Sequence, residues 1–175
     1  MRHKSLGDMH CAIARSLDRV GEWWSILILR DALQGKTRFN QFQESLGIAP
    51  NMLARRLNSL VEAGLLERRR YSERPPRDEY FLTERGRDFR PVLWALVAWG
   101  NKHFAPDGNT VEIVDAETGA VAEPVLVDRN SGRILTTPEF RTTIAPATAP
   151  AAAINDRVAA PSSGRTRDHK DTVHE

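Results

Sequence analysis

Apolar side chains recur every three or four positions through most of the first hundred residues, which is the period of amphipathic helices. The pattern predicts five of them: Cys11–Arg19, Glu22–Leu33, Arg38–Leu46, Pro50–Ala63 and Glu84–His103. Asp8, Thr37 and Thr83 are the predicted N-caps of the first, third and fifth helices. Gly35 is predicted to follow the end of the second helix. Pro91 marks either a kink in the fifth helix or its true start.

Between the fourth and fifth helices, two short runs have the composition of β-strands. They cover Leu65–Arg70 and Glu79–Thr83, and Tyr71–Asp78 is the predicted loop between them. Pro75-Pro76 would stiffen the tip of this loop in an extended conformation. A short turn at Gly47-Ile48 joins the third and fourth helices. The order helix, turn, helix, hairpin is typical of a winged helix-turn-helix, so we predict a mainly α (α+β) fold of that kind.

The pattern changes beyond residue 104. Short apolar runs alternate with turn-forming clusters, which predicts a small two- or three-stranded β meander; the runs are Val111–Ile113, Val125–Val127 and Ile134–Leu135. From residue 145 onward Ala, Pro, Ser and charged residues dominate, which predicts disorder. We therefore divide the chain into a winged helix-turn-helix domain for DNA binding and dimerisation, a β-rich extension and a disordered tail, with bounds 1–104, 105–144 and 145–175.

The fourth predicted helix has two chemically different faces when its residues are placed about 100° apart. One face is a continuous apolar stripe of Leu53, Ala54, Leu57, Leu60 and Val61. The opposite face holds Met52, Arg55, Ser59 and Glu62, with Asn51, Arg56 and Asn58 on the flanks. A helix of this kind can pack on a core while it presents polar groups to DNA.

Those polar residue types match the edges of DNA bases. Arg forms two hydrogen bonds with guanine, Asn does so with adenine, and Met packs on the thymine methyl group. We assign Asn51, Met52 and Arg55 to bases, and Arg56 and Asn58 to phosphate or base. The alternative is that Arg55 and Arg56 belong to a solvated face and pair with acidic neighbours, Glu62 or Glu44.

Further cations are predicted to contact phosphates without reading sequence. Arg74 and Arg77 flank the two prolines at the tip of the hairpin, and three consecutive arginines, residues 68–70, lie on the strand before it. Lys36, Thr37 and Arg38 lead into the third helix, whose N-terminal amides also suit a phosphate.

Charge and composition favour the same interpretation. Residues 1–104 hold 18 Lys and Arg against 12 Asp and Glu, whereas residues 105–175 hold 7 against 11, so the first part suits a polyanion. No apolar run has the roughly 18 residues of a membrane span and no signal peptide is evident, so we expect a cytoplasmic protein without membrane partners. No catalytic motif is present. We therefore expect neither enzyme activity nor a cofactor, and the sequence offers no metal site.

The fifth helix is more apolar than a small domain needs, with Val92, Leu93, Leu96, Val97 and Trp99 among its residues. These side chains would pack either in the core of the domain or on a second subunit. We favour the second subunit.

Taken together, residues 9–104 resemble the HxlR-type family of winged helix-turn-helix regulators. The matching positions are Cys11, Gly21–Leu29, Arg38-Phe39, Gly47-Ile48, Leu53, Arg56-Leu57, Leu60, Gly64–Leu66, Arg68, Pro75-Pro76, Tyr80, Leu82–Glu84, Gly86 and Trp99-Gly100. The resemblance implies a homodimer, built from the terminal helices, that binds an inverted-repeat operator. Some relatives sense oxidants or quinones through a cysteine at the position of Cys11. Here that residue is either a sensor or a small core residue.

The sequence therefore predicts a sequence-specific DNA-binding transcription regulator, with repression as the expected sign and double-stranded DNA and a second copy of the chain as its partners. Any small-molecule effector is unknown. The alternative is a protein-interaction or effector-binding module on a winged-helix scaffold.

Overall fold

The computed structural model describes residues 11–106, 108–109 and 111–143. The predicted cap Asp8 and the predicted disordered tail from residue 145 lie outside the described residues. The chain divides into two compact units, residues 1–127 and 128–175, and each is considered by itself. Among the described residues, no helix combines the length and apolar character that crossing a bilayer requires.

Six helices and two strands follow one another along the described part of the first unit. They are α1 Ala12–Val20, α2 Trp23–Leu33, α3 Phe39–Leu46, α4 Pro50–Glu62, β1 Leu66–Glu73, β2 Pro76–Leu82, α5 Glu84–Arg87 and α6 Arg90–Phe104. The predicted winged helix-turn-helix order is confirmed. The predicted fifth helix is two helices, because the chain leaves the helix after Arg87 and α6 begins at Arg90 with Pro91 in its first turn. Of the two roles considered for Pro91, the structure shows that of a helix start.

The caps differ from the prediction at one place. Thr83 caps α5 as predicted, because its Oγ1 accepts a hydrogen bond from the Gly86 N–H at 3.1 Å. Thr37 does not cap α3, since the helix begins one residue later with Arg38 as its N-cap. Gln41 Oε1 instead accepts from the backbone N–H groups of Thr37 and Arg38, at 3.0 and 2.9 Å. A glutamine in the first turn thus accepts from the backbone donors of the two residues before the helix, as the third helical residue does in a capping box.

The two strands form an antiparallel hairpin that is longer than predicted. Ser72 lies opposite Arg77 and Glu73 opposite Pro76, so only Arg74-Pro75 remains as the turn, and the prediction of a loop over Tyr71–Asp78 is wrong. The register shifts between Arg70 and Ser72, which is the irregularity of a β-bulge. Cross-strand ion pairs explain why so polar a segment extends, since Arg70 Nε lies 3.2 Å from Asp78 Oδ1.

A short segment before α3 pairs with β2 along the edge of that strand opposite β1. Thr37 O accepts the Tyr80 N–H at 2.8 Å, and Arg38 pairs with Glu79 in an isolated antiparallel bridge. The start of the helix-turn-helix is therefore fixed directly to β2.

The core lies between α2, α3, α4 and the hairpin. Its fully buried apolar side chains are Ile28, Leu29, Phe42, Leu53, Leu57, Leu60 and Leu66. Three of these belong to α4, so the predicted apolar stripe is confirmed in its centre. Ala54 is exposed, however, and Val61 is only half-buried. The buried face of α4 is therefore turned away from Ala54 and toward Arg56.

The extension consists mainly of turns. Asp115 and Asp128 each accept hydrogen bonds from backbone N–H groups two and three residues later, which closes an Asx turn at each site. These predicted turns are confirmed, but among the described residues the apolar runs between them form no regular strand. Val114 and Val121 meet in an isolated bridge. Their side chains remain about half exposed or more, so no covered face stabilises a longer ladder here.

Candidate nucleic-acid interface

The outer face of α4 presents polar side chains to solvent. Asn51, Arg55 and Asn58 are exposed, and Met52 is half-buried beside them. Arg55 Nη2 lies 3.1 Å from Met52 Sδ, so the guanidinium rests over the thioether. Since Leu53, Leu57 and Leu60 fix the opposite side, these groups occupy a rigid, outward-facing strip. This is where the sequence places the base-reading residues, although a role in DNA contact stays a prediction for each of them.

Arg56 differs from its neighbours. Its side chain is only 14% exposed, and Nη2 lies 2.9 Å from Glu22 Oε2, at the start of α2. The predicted alternatives for pairing, Glu62 and Glu44, are not its partners in this ion pair. Arg56 thus joins α4 to the α1–α2 junction, and its Nε is buried without a hydrogen-bond partner among the described residues.

Asn58 connects α4 to the hairpin. Arg68 Nη1 reaches its Oδ1 at 3.5 Å, and the same arginine lies 4.0 Å from Asp78 Oδ2. The sequence pattern identifies Arg68 only as one of three consecutive arginines on the first strand. Its link to α4 depends on the packing of β1 against the helix, which no local pattern reveals.

The cations of the hairpin fall into two groups. Arg69 pairs with Glu67, and Arg70 pairs with Asp78 and Glu73; the hydrogen bond to Asp78 raises the pKa of Arg70 above its ordinary value. Arg74 and Arg77 are exposed at the tip, and no ion pair joins them to another described residue. The tip therefore carries charge that is free to meet an anion.

The segment before α3 is more constrained than predicted. Lys36 Nζ lies 3.8 Å from Oδ2 of the buried Asp31, and the Thr37 backbone pairs with β2. Arg38 binds Glu79 at 2.8 Å and stacks over the Tyr71 ring at 4.9 Å. The hydrogen bond to Glu79 raises the pKa of the Arg38 guanidinium, which remains cationic. A cavity of about 540 Å³ between this segment and the outer hairpin is lined by Arg38, Asn40 and Arg77 among others.

A second surface is apolar and uncovered in the protomer. No residue of α6 is fully buried. Large exposed apolar side chains lie on α6, on α1 and at the start of α2, and the set is Ile13, Leu17, Trp23, Val92, Trp94, Leu96, Trp99 and Phe104. We call this set the apolar face. Of the side chains predicted to pack either in the core or on a second subunit, Val92, Leu96 and Trp99 are exposed and so lie outside the core, while Leu93 and Val97 are half-buried.

Cys11 is the N-cap residue of α1 and is exposed. Of its two predicted roles, that of a small core residue is therefore wrong within the protomer. The sensing role stays a prediction.

The fold and the polar strip of α4 define a winged helix-turn-helix regulator, and comparison with known proteins gives the family. Residues 19–108 match the family model described as HxlR-like helix-turn-helix. An uncharacterised HTH-type transcriptional regulator of Mycobacterium tuberculosis, Rv3095, is 40% identical over 126 residues, which cover 71% of this chain and 80% of that protein. The chain belongs to the HxlR-like helix-turn-helix family, whose fold implies DNA binding.

Two solved structures are similar over most of the chain. PA1374 of Pseudomonas aeruginosa, described as a candidate transcription factor, is 54% identical, with a TM-score of 0.59, 79% of this chain covered and 95% of that one. PA1607, described in the same way, is 39% identical, with a TM-score of 0.71 and coverage of 80% and 99%. Since α6 ends at residue 104 and 80% of 175 residues is about 140 residues, these matches include part of the extension.

Proposed function

We propose that the protein is a sequence-specific repressor that binds an inverted-repeat operator as a homodimer in the cytoplasm. The observation that carries this proposal is the outer strip of α4, which is polar, exposed and held from behind by three fully buried leucines. A helix of this form fits the major groove of B-form DNA.

In this proposal, base contacts come from the first two turns of α4. Arg55 would donate two hydrogen bonds to a guanine, Asn51 would pair with an adenine, and Met52 would pack on a thymine methyl. The rest of the DNA-binding set positions the protein on the backbone. It comprises Asn58, Arg74, Arg77 and the segment Lys36, Thr37 and Arg38. Arg56 is omitted, because its ion-paired side chain is only 14% exposed, whereas that of Arg38 is 51% exposed beside Glu79.

Dimerisation is supported by the apolar face. Three tryptophans and a phenylalanine that are each more than 40% exposed are costly on a monomer in water. A second copy packed on the same face would bury both sets at once, because a twofold interface is self-complementary. Two α4 helices related in this way would read half-sites centred about 10 base pairs apart, or a multiple of that distance.

Repression follows if such a dimer covers two half-sites near a promoter, where it would exclude the polymerase. A reporter gene driven by the DNA upstream of the protein's own gene tests whether the protein represses or activates transcription. Repression predicts higher expression when the protein is deleted, whereas lower expression would show an activator.

The DNA contacts are tested with two matched substitutions, Arg55→Met and Arg77→Met, and with Arg129→Met in the second unit as the control. Fluorescence anisotropy would measure affinity for the upstream operator and for random DNA at several salt concentrations. Arg55→Met should weaken operator binding by about 1–3 kcal/mol per half-site and random DNA much less, while Arg77→Met should weaken both alike and reduce the salt slope by about 2, since a dimer loses two contacts. Equal losses for Arg55→Met on both DNAs would remove it from the base-reading set. Affinity that does not depend on salt would favour a protein-interaction module instead.

The dimer is tested with Trp99→Glu on the apolar face and Val125→Glu as a control at an exposed position outside it. Sedimentation should show that Trp99→Glu is monomeric at concentrations where the parent and the control are dimers. A dimer that survives Trp99→Glu and a second substitution, Phe104→Glu, would place the interface elsewhere.

A further inference from the structure

A cavity of about 310 Å³ opens beside the inner half of the hairpin. Its walls come from the end of α2, from residues 35–37, from both strands and from the α5–α6 junction. None of the described residues that line it belongs to α4 or to residues 70–79. The cavity is therefore separate from the polar strip of α4 and from the hairpin tip, and it shares Lys36 and Thr37 with the proposed DNA-binding set. Its volume lies at the lower end of the range of about 300–1,000 Å³ that is common for small-molecule sites.

The charged lining of this cavity is mostly cationic, with Lys36, Arg69, Arg87 and Arg90 against the single carboxylate Glu67. Arg69 is paired with that carboxylate. Arg87 Nη1 donates to the Leu82 carbonyl at 2.7 Å, which leaves its charge uncompensated by a carboxylate. Arg90 has no ion pair or side-chain hydrogen bond with any described residue. The site thus has excess positive charge with donors that an anion could use.

The remaining wall is apolar. Leu33, Phe81 and Leu82 line the cavity together with Ala32, and all four are half-buried. Phe81 is held in place by Arg69, whose guanidinium carbon lies 4.7 Å from the ring centroid. An apolar wall next to unpaired cations suits a ligand that is both apolar and anionic.

We propose that this cavity binds a small organic anion with a hydrophobic ring or chain, of which an aromatic carboxylate is the simplest example. The carboxylate would take hydrogen bonds from Arg87 and Arg90, and the ring would lie on Leu33 and Phe81. Inorganic phosphate fits less well, because it would leave the apolar wall uncovered.

Such a ligand would also act on DNA binding, and this part rests on the proposed function. The cavity joins α6, which carries much of the apolar face, to β2 and to residues 36–37, which are fixed to β2 by the Tyr80–Thr37 hydrogen bond of 2.8 Å. A ligand that binds one arrangement of these elements better than another shifts the population toward it, and operator affinity shifts with it.

The binding test uses the full chain without DNA, so that its result does not depend on the proposed function. Calorimetry would compare benzoate, benzamide and inorganic phosphate as probes. We expect saturable binding of benzoate, with benzamide and phosphate at least about tenfold weaker. Arg90→Gln should weaken benzoate by a similar factor, whereas Arg129→Gln should leave it unchanged. No benzoate binding at millimolar concentration, equal binding of either comparison probe, or an unaffected Arg90→Gln variant would overturn the proposal.

A second measurement separates regulation and DNA contact from ligand binding. Saturating benzoate should change the affinity for operator DNA in the parent and not in Arg90→Gln. If benzoate binds and leaves DNA affinity unchanged, the regulatory part is wrong. If Arg90→Gln by itself lowers the salt slope of DNA binding by about 2, one contact in each subunit of the proposed dimer, the arginine is a phosphate contact and the ligand site is overturned.

Discussion

The ion pair between Arg56 and Glu22 decides whether Arg56 serves the fold or the DNA. Arg56 Nη2 and Glu22 Oε2 are 2.9 Å apart, and the two side chains are 14% and 38% exposed. The pair is therefore unequal, since the carboxylate retains water and the guanidinium retains little. Arg56→Met keeps an unbranched side chain with good helix propensity and removes the guanidinium with its charge and its N–H donors. Glu22→Gln keeps the shape of the partner and leaves the Arg56 charge without its carboxylate.

The exposed fractions of the Arg56 and Glu22 side chains set the expected loss of unfolding free energy for each variant. Exposed ion pairs contribute about 0–1 kcal/mol, and leaving one member of a fully buried pair alone costs about 3–5 kcal/mol. For Arg56→Met, the carboxylate left behind is solvated, so the free energy of unfolding should fall by about 0–1 kcal/mol. For Glu22→Gln, the charge left behind is mostly buried, so the loss should be larger, about 1–3 kcal/mol.

Urea unfolding followed by tryptophan fluorescence, at one fixed protomer concentration, measures both variants and the double variant. Because Arg56→Met removes the stranded charge, the double variant should be more stable than Glu22→Gln alone. Salt titrations of DNA binding should give the same slope for Arg56→Met and the parent. If both single variants unfold like the parent and Arg56→Met lowers the salt slope of the proposed dimer by about 2, then Arg56 contacts phosphate and the structural reasoning is refuted.

Three further predictions concern the hairpin and its junctions. Gly86→Ala would place a Cβ 2.1 Å from the Leu65 carbonyl oxygen, so backbone must move and urea unfolding should show a loss of about 1–3 kcal/mol; parent-like stability would contradict the packing. Thr83→Val removes the cap of α5 and the 2.7 Å hydrogen bond to Gly64 O, and should cost about 1–2 kcal/mol by the same measurement, where no loss would exclude the cap. Burial raises the pKa of Tyr80 above 10.0, so its contribution to stability is complete below the unfolded pKa and is lost as pH rises through the folded one. Stability should accordingly fall less steeply above about pH 10 in Tyr80→Phe than in the parent, and an identical fall would contradict this.

Elements that depend on local chemistry could be predicted from the sequence. The spacing of Leu53, Leu57 and Leu60 defines the buried side of α4 because the helix period alone places them together. The hydroxyl of Thr83 and the backbone freedom of Gly35, at φ +92°, mark helix ends through groups that act within a few residues. These features were assigned correctly for that reason.

Features that depend on distant partners could not be predicted in the same way. Arg56 meets Glu22, 34 positions earlier in the chain, and Arg68 meets Asn58 only because β1 packs beside α4. The hairpin was predicted too short because its polar residues suggest a loop. In the structure those residues pair across the strands, as Arg70 does with Asp78.

The number of arginines without a carboxylate partner limits how steeply the affinity for DNA can fall with salt concentration. An arginine bound to a carboxylate of its own chain contributes little net field, and this is the state of Arg38, Arg56 and Arg70. Within the described interface, Arg55, Arg74 and Arg77 have no such partner. Since Arg55 is assigned to a base, Arg74 and Arg77 give four unpaired phosphate contacts in the proposed dimer. A slope near −0.9 per phosphate contact then predicts a value of about −3.6, or roughly a 150-fold loss of affinity from 50 to 200 mM salt. A much steeper slope would require DNA to displace the carboxylates, so the slope measures how many internal ion pairs survive binding.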